Sequence, residues 1–310
     1  MKNFVQPSIT STASAVSITS TASTASMTST SFVSSADPAG TGDGVKRFSE
    51  MRNVSDCGTP QLRVDSLAFQ YGKREILHGV SFQVPPAGVF AILGPNGCGK
   101  TTLLRCLDQI LLPSSGRVYF GERDLLKMRP GERAKFTAYA PQRTASSGLT
   151  VFDSVLLGRL PHRTWNSGRE DEQKVCEVLA RLDLTEKAAQ TLDTLSGGEL
   201  QKAALARVLA QEPRLILLDE PTSALDWKNR TEILTLLRRI AREDGVSIVL
   251  TLHDINDALR YADRLLLLKD GAVAAETAPE DVTEEKLSEV YGLSIRIHEL
   301  EGRRTAVVQE

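Results

Sequence analysis

The stretch "GPNGCGKTT", residues 94–102, constrains this chain more than any other. It fits the pattern G-x-x-x-x-G-K-[ST] through Gly94, Gly99, Lys100 and Thr101. Such a loop curls its backbone N–H groups around an anion, which needs glycine's conformational freedom. It then hands the chain to a helix whose positive end faces the same anion. The flanks agree: "GVFAIL" is a continuous apolar run, as in a buried strand, and "TTLLRCL" opens a helix. A β/α core with a phosphate site at a strand end is expected.

The chemistry of the loop follows from its residues. Lys100 can reach the β and γ phosphates of a nucleotide, and Thr101 can ligate Mg²⁺. Pro95, Asn96, Gly97, Cys98 and Thr102 complete the set expected to line ATP. Cys98 reads first as a small neutral residue. A helix N-terminus also lowers a thiol pKa, so alkylation of Cys98 is expected to abolish nucleotide binding unless ATP is bound first.

Two further apolar runs end in polar residues. "RLILLDEP" carries Asp219 and Glu220, suited to Mg²⁺ coordination by the first and polarisation of an attacking water by the second. "VSIVLTLHD" carries His253 just past a strand. Parallel strands of one sheet end on the same edge, so His253 and Glu220 are expected near the same γ phosphate.

A second glycine-rich helix start, "LSGGELQKAALARVLAQ", occupies residues 195–211. Ser196 with Glu199 three residues on is a capping box, enough to start a helix in any protein. Gly197 and Gly198 also leave N–H groups and a positive helix end open to an anion. One nucleotide has one γ phosphate, and the loop around Gly94–Thr101 already surrounds it. The economical reading is that Ser196, Gly197 and Gly198 address the nucleotide of a second copy, with two copies facing head to tail.

The rest of the chain frames this site. From Ser8 to about Ser35 the sequence is nearly pure Ser, Thr, Ala and Val, too poor in large apolar groups to offset its chain entropy, and residues 1–58 are expected to be a disordered tail. Its apolar residues are interrupted by hydroxyls, unlike a secretory signal, and translation from Met51 is the plainest account of it. Residues 59–310 are expected to form the folded domain, with a helical insertion at about 143–205. No apolar run approaches the roughly 20 residues that span a bilayer. A net charge of -2 gives no basic excess for nucleic acid or an anionic membrane surface. The four cysteines have no metal-ligand spacing, which fits a reducing compartment.

"LSGGE" together with the phosphate loop, "YAPQ", "LLDEP", "SALD" and "LHD", in this order, resembles the ATP-binding cassette (ABC) ATPases, over roughly residues 61–310. The resemblance implies an α/β P-loop NTPase head with a RecA-like core, an antiparallel β subdomain and a helical insertion subdomain. It implies that Tyr71 stacks on adenine, that Gln142 approaches Mg²⁺ and the attacking water, and that Asp226 lies in the loop passing between two copies. A chromosome or repair ATPase of this class would carry a long coiled coil between loop and signature, and a translation-factor type would hold two cassettes. A transporter head remains, docking on separate permease subunits at the cytoplasmic face of the membrane. "GRLPHR", "DINDALRYAD" and "EVYG" resemble the importers of iron-siderophore complexes, haem and cobalamin, which are fed by an extracytoplasmic substrate-binding protein. Another metal or small-nutrient importer, or a soluble ABC ATPase outside transport, is the alternative.

Overall fold

The computed structural model describes residues 62–142, 148–164, 168–223 and 225–309. The expected tail lies outside the described residues, as does the start of the expected helical insertion. In chain order the elements are β1 (Leu62–Tyr71), β2 (Arg74–Val84), β3 (Val89–Leu93), α1 (Lys100–Leu107), β4 (Ser115–Phe120), β5 (Arg123–Asp124), α2 (Pro130–Arg133) and β6 (Thr137–Ala140). Then come α3 (Val151–Leu156), α4 (Gly168–Arg181), α5 (Gly197–Ala210), β7 (Leu215–Leu218), α6 (Trp227–Asp244), β8 (Ser247–Thr251) and α7 (Ile255–Tyr261). The chain closes with β9 (Arg264–Lys269), β10 (Ala272–Thr277), α8 (Glu284–Tyr291), β11 (Ile295–Leu300) and β12 (Arg303–Val308).

The alternating strands at the start do not open the main sheet. β1 and β2 pair antiparallel and join β4 and β5 in a four-stranded sheet of order β2-β1-β4-β5. The alternation in β1 slips where Ser66 takes φ 48°, a bulge at which the register shifts between Val64 and Leu67. The slip keeps Leu62, Val64, Leu67 and Phe69 all on the buried side.

The second sheet has the order β10-β9-β3-β8-β7-β6, parallel throughout except for the antiparallel edge strand β10. β3 and β7 are apolar at every position, and β8 and β9 are apolar between their polar ends, because both faces are covered. Val89, Ala91 and Leu93 of β3 join one core with the helices α3 to α8, while Phe90 and Ile92 join another with α1 and the antiparallel sheet. The same period-2 division recurs in β7 and β9.

Between β6 and β7 the regular elements among the described residues are helices, as the apolar spacing of "KVCEVLARLDL" predicts. Val175, Val178 and Leu179 form the buried stripe of α4, and Leu182 continues it past the helix end. Arg159 anchors this region. It is 5% exposed, and it donates to Asp171 at 2.9 Å, to the carbonyl of Ala210 at 2.8 Å and to Glu212 at 2.8 Å. Its neighbour His162 is half-buried with Nε2 2.8 Å from the Gln211 carbonyl. "GRLPHR" thus uses Arg159 and His162 for anchoring and leaves Leu160, like the preceding Leu157, on the surface.

Candidate nucleotide and hydrolysis site

Because β6, β7, β8 and β3 run parallel, the polar residues that follow them share one sheet edge. The loop after β3 is built by three glycines at positive φ, with Gly94 at 152°, Gly97 at 81° and Gly99 at 106°. At Gly94 the need is also steric, since a Cβ there would lie 2.1 Å from the Leu268 carbonyl oxygen. Asn96 and Gly97 are exposed, Pro95, Thr101 and Thr102 half-buried, and Gly99 buried. Lys100, 6% exposed, turns its ammonium inward and donates to the carbonyls of Gly94 at 2.7 Å and Pro95 at 3.1 Å. A buried cation at the first turn of α1, whose N-terminus opens on this loop, is a donor set that fits a polyphosphate.

Two clusters of side chains stand beside this loop. Thr101 donates to Asp219 Oδ1 at 3.1 Å, and Thr251 donates to the same oxygen at 2.9 Å. The Thr251 hydroxyl also accepts the backbone N–H of Glu220 at 2.8 Å, so one hydroxyl orients both acids. Glu220 itself sits at φ 49°, a sparsely populated conformation for a non-glycine residue. That bend carries its carboxylate away from Asp219 into a second cluster. There Gln142 donates to Oε2, and His253 Nε2 lies 2.5 Å from Oε1. The expected proximity of His253 and Glu220 is therefore a direct contact. Among the described residues no three His, Cys, Asp or Glu side chains gather into a metal cage. A cation at Thr101 would take hydroxyl, amide and phosphate oxygens, the ligand set that Mg²⁺ prefers.

Other expected residues lie apart from these clusters. Tyr71, at the end of β1, is 49% exposed, with its ring edge-on to Phe69 at 4.7 Å, leaving a face open to a planar ligand. Ser196 caps α5 in the expected box: its hydroxyl accepts the Glu199 N–H at 3.4 Å, and Glu199 accepts the Ser196 N–H at 2.9 Å. The Ser196 hydroxyl, the Ser196 N–H and Lys187 hold the Glu199 carboxyl down to about 2. Gly197 is exposed and Gly198 is buried, where a Cβ would meet the Asn229 side chain at 2.5 Å. Asp226 caps α6 by accepting the Asn229 N–H at 2.8 Å. The starts of α5 and α6 thus form one surface, with no hydrogen bond or ion pair among the described residues joining it to this chain's own loop.

Cys98 corrects an expectation. Its side chain points into the core, 4% exposed, and burial raises its thiol pKa more strongly than Lys100 and the helix start lower it. A contact invisible in the sequence lies on the other side of the loop. Tyr291 at the end of α8 holds a buried hydroxyl near the Gly94 backbone that makes no hydrogen bond among the described residues, and burial raises its pKa to about 12. The threonine closing the apolar run of β8 was the only local signal for Thr251, and for Tyr291 there was none.

Residues 77–223 match the family described as ABC transporter. The chain is 38% identical over 243 residues to the ferric enterobactin transport ATP-binding protein FepC of Escherichia coli, covering 76% of this chain and 89% of that one. It is 38% identical over 258 residues to the hemin import ATP-binding protein HmuV of Thermobifida fusca, covering 83% and 90%. Among solved structures, an ABC transporter described as metal-chelate type, in an inward-facing conformation, superposes with a TM-score of 0.71 and 30% identity over 81% of this chain and 98% of that one. With the loop, its buried lysine and the paired acids at one sheet edge, these likenesses establish that the chain belongs to the ABC transporter family as an ATP-binding, ATP-hydrolysing subunit.

Proposed function

We propose that this subunit powers import of an iron-siderophore, haem or cobalamin-type substrate through separate permease subunits, from the cytoplasmic face of the membrane, as a head-to-tail homodimer. The observation that carries the hydrolytic part is the convergence of Gln142 and His253 on the two oxygens of Glu220, beside the Thr101–Asp219 pair. The importer part rests on relatives named for ferric enterobactin and hemin. No helix among the described residues is long and apolar enough to cross a membrane, and this reading gives the membrane path to the separate permease subunits. An extracytoplasmic binding protein would deliver it to that partner.

Each residue has a definite task in this reading. Tyr71 stacks on adenine, and the backbone from Gly94 to Gly99 surrounds the phosphates, with Pro95, Asn96, Gly97 and Cys98 setting its course and Thr102 continuing it into α1. Lys100 leaves its own loop carbonyls for the β and γ phosphates. Thr101, Gln142 and Asp219 would hold Mg²⁺, which would supply charge neutralisation at the γ phosphate. Glu220 accepts a proton from water as the water oxygen attacks the γ phosphorus and ADP leaves, while His253 orients the carboxylate. Ser196, Gly197 and Gly198 close on the nucleotide of the second copy, and Asp226 passes between the two.

The test compares Glu220→Gln with Lys100→Ala. The first keeps the shape of the site and removes the base, so turnover falls roughly 10²- to 10⁴-fold with ATP still bound. The second weakens ATP binding itself. Uptake of labelled ferric siderophore, with haem and cobalamin in parallel, in cells carrying only Glu220→Gln then reads the substrate class. Normal turnover in Glu220→Gln refutes the assignment of the base, and undiminished uptake of all three refutes the importer class.

A further inference from the structure

A cavity of about 700 Å³ lies between α6, α7 and the β11–β12 hairpin, apart from every residue assigned above. Its wall carries four arginines, Arg238, Arg260, Arg303 and Arg304, against one carboxylate, Glu280. Arg304 is committed to the backbone, its terminal nitrogens donating to the carbonyls of Pro279 and Val282, each at 2.6 Å. Among the described residues Arg260 and Arg303 form no ion pair, and Arg238 has only a distant one, 3.9 Å to Asp263. The wall is held in place by reciprocal bonds between Asn256 of α7 and Ala306 of β12, at 2.7 and 3.2 Å.

Two buried donors in this same wall have no acceptor. Tyr261 is 7% exposed and its hydroxyl finds no partner; the Nε–H of Arg238 is buried and equally orphaned. Buried polar groups are paired in the great majority of cases, so two orphans on residues that line one arginine-rich cavity point to an acceptor there. The surplus of guanidinium groups calls for a carboxylate or phosphate, which their planar forks match. Leu259 and Leu300, the latter 58% exposed, offer apolar surface to a carbon skeleton. The volume is that of a small-molecule site.

We propose that this cavity binds a small organic anion bearing two or more carboxylate or phosphate groups, with Tyr261 and Arg238 as its buried donors and Arg260 and Arg303 as its charged rim. The inference is independent of what the complex transports.

The test is calorimetric titration of the intact, nucleotide-free chain with citrate and with fructose 1,6-bisphosphate, using sulfate as the inorganic comparison. At least one organic probe is expected to bind with a Kd below about 1 mM, and the two arms tell carboxylate from phosphate. Arg260→Ser with Arg303→Ser is expected to weaken that binding by about tenfold or more. Tyr261→Phe is expected to weaken binding too, while leaving Tm of the free protein unchanged or raised by a degree or two, because it removes an orphaned hydroxyl. A purely structural tyrosine would lower Tm and leave affinity alone. The proposal is overturned by absence of binding at about 10 mM of either organic probe, by affinities that ignore the substitutions, or by equal affinity for sulfate, which marks an adventitious ion only.

Discussion

Gly94→Ala tests whether the phosphate loop is set by backbone conformation alone or also by its packing on the neighbouring strand. Gly94 holds φ 152°, where an L side chain is strained at a cost of about 1–3 kcal/mol. The added Cβ would also lie 2.1 Å from the Leu268 carbonyl oxygen and 2.8 Å from Cys98 Sγ. Leu268 cannot retreat easily, because the preceding residue Leu267 is paired with Leu93 in the parallel β3–β9 ladder. Overpacking of this kind costs about 1–3 kcal/mol more, giving a sum of roughly 2–6 kcal/mol. At about 2–4 °C per kcal/mol for a domain of this size, Tm falls by roughly 5–20 °C. Gly97→Ala is the matched control: φ is 81° but nothing lies within 4 Å of the new Cβ, so only the strain remains, about 1–2 kcal/mol. Thermal unfolding of the three proteins and their ATP affinities are the assays. A Gly94→Ala protein as stable as Gly97→Ala would refute the packing argument.

Two other outcomes follow from the same structure. Cys98 and Cys106 are buried with thiol pKa values raised by desolvation, Cys106 to about 12, whereas Cys176 is exposed. Peptide mapping after brief maleimide treatment at neutral pH should therefore find Cys176 modified and the other two intact without any need for ATP protection; equal labelling of Cys98 contradicts this. Glu199→Ala breaks the α5 capping box and the pairing with Lys187. The folded carboxyl titrates at about 2, well below its ordinary value of 4.5. Its charge therefore stabilises the fold fully above about pH 4.5, and that contribution is lost as pH falls towards about 2. Denaturant unfolding of both proteins should give a stability gap that is constant above pH 5 and narrows through this window, and a gap that widens on acidification refutes the assignment.

Much of this site was legible before any coordinates because its signals are local. The loop glycines, Lys100 and Thr101 are contiguous, and each answers a need of backbone angle or charge within a few residues. The capping box of Ser196 and Glu199 spans one helical turn. The unbroken apolar runs of β3 and β7 announce strands covered on both faces. Cys98 shows the limit of such reading: its position at a helix start is local, but the direction of its side chain depends on what packs around the loop.

The sequence by itself determined the motifs, their order and the residue types offered to phosphate, metal and water, since these follow from short-range conformational preference and side-chain chemistry. Only the tertiary structure decided which of them meet. The strand order placing β3, β8, β7 and β6 side by side lets Thr251 orient both acids and lets Gln142 and His253 converge on Glu220. The burial of Gly198 against Asn229, the approach of Tyr291 to Gly94 and the arginine-lined cavity have the same origin. They join residues tens to nearly two hundred positions apart, and the pairing of distant segments is set by burial of the whole core rather than by any neighbouring residue.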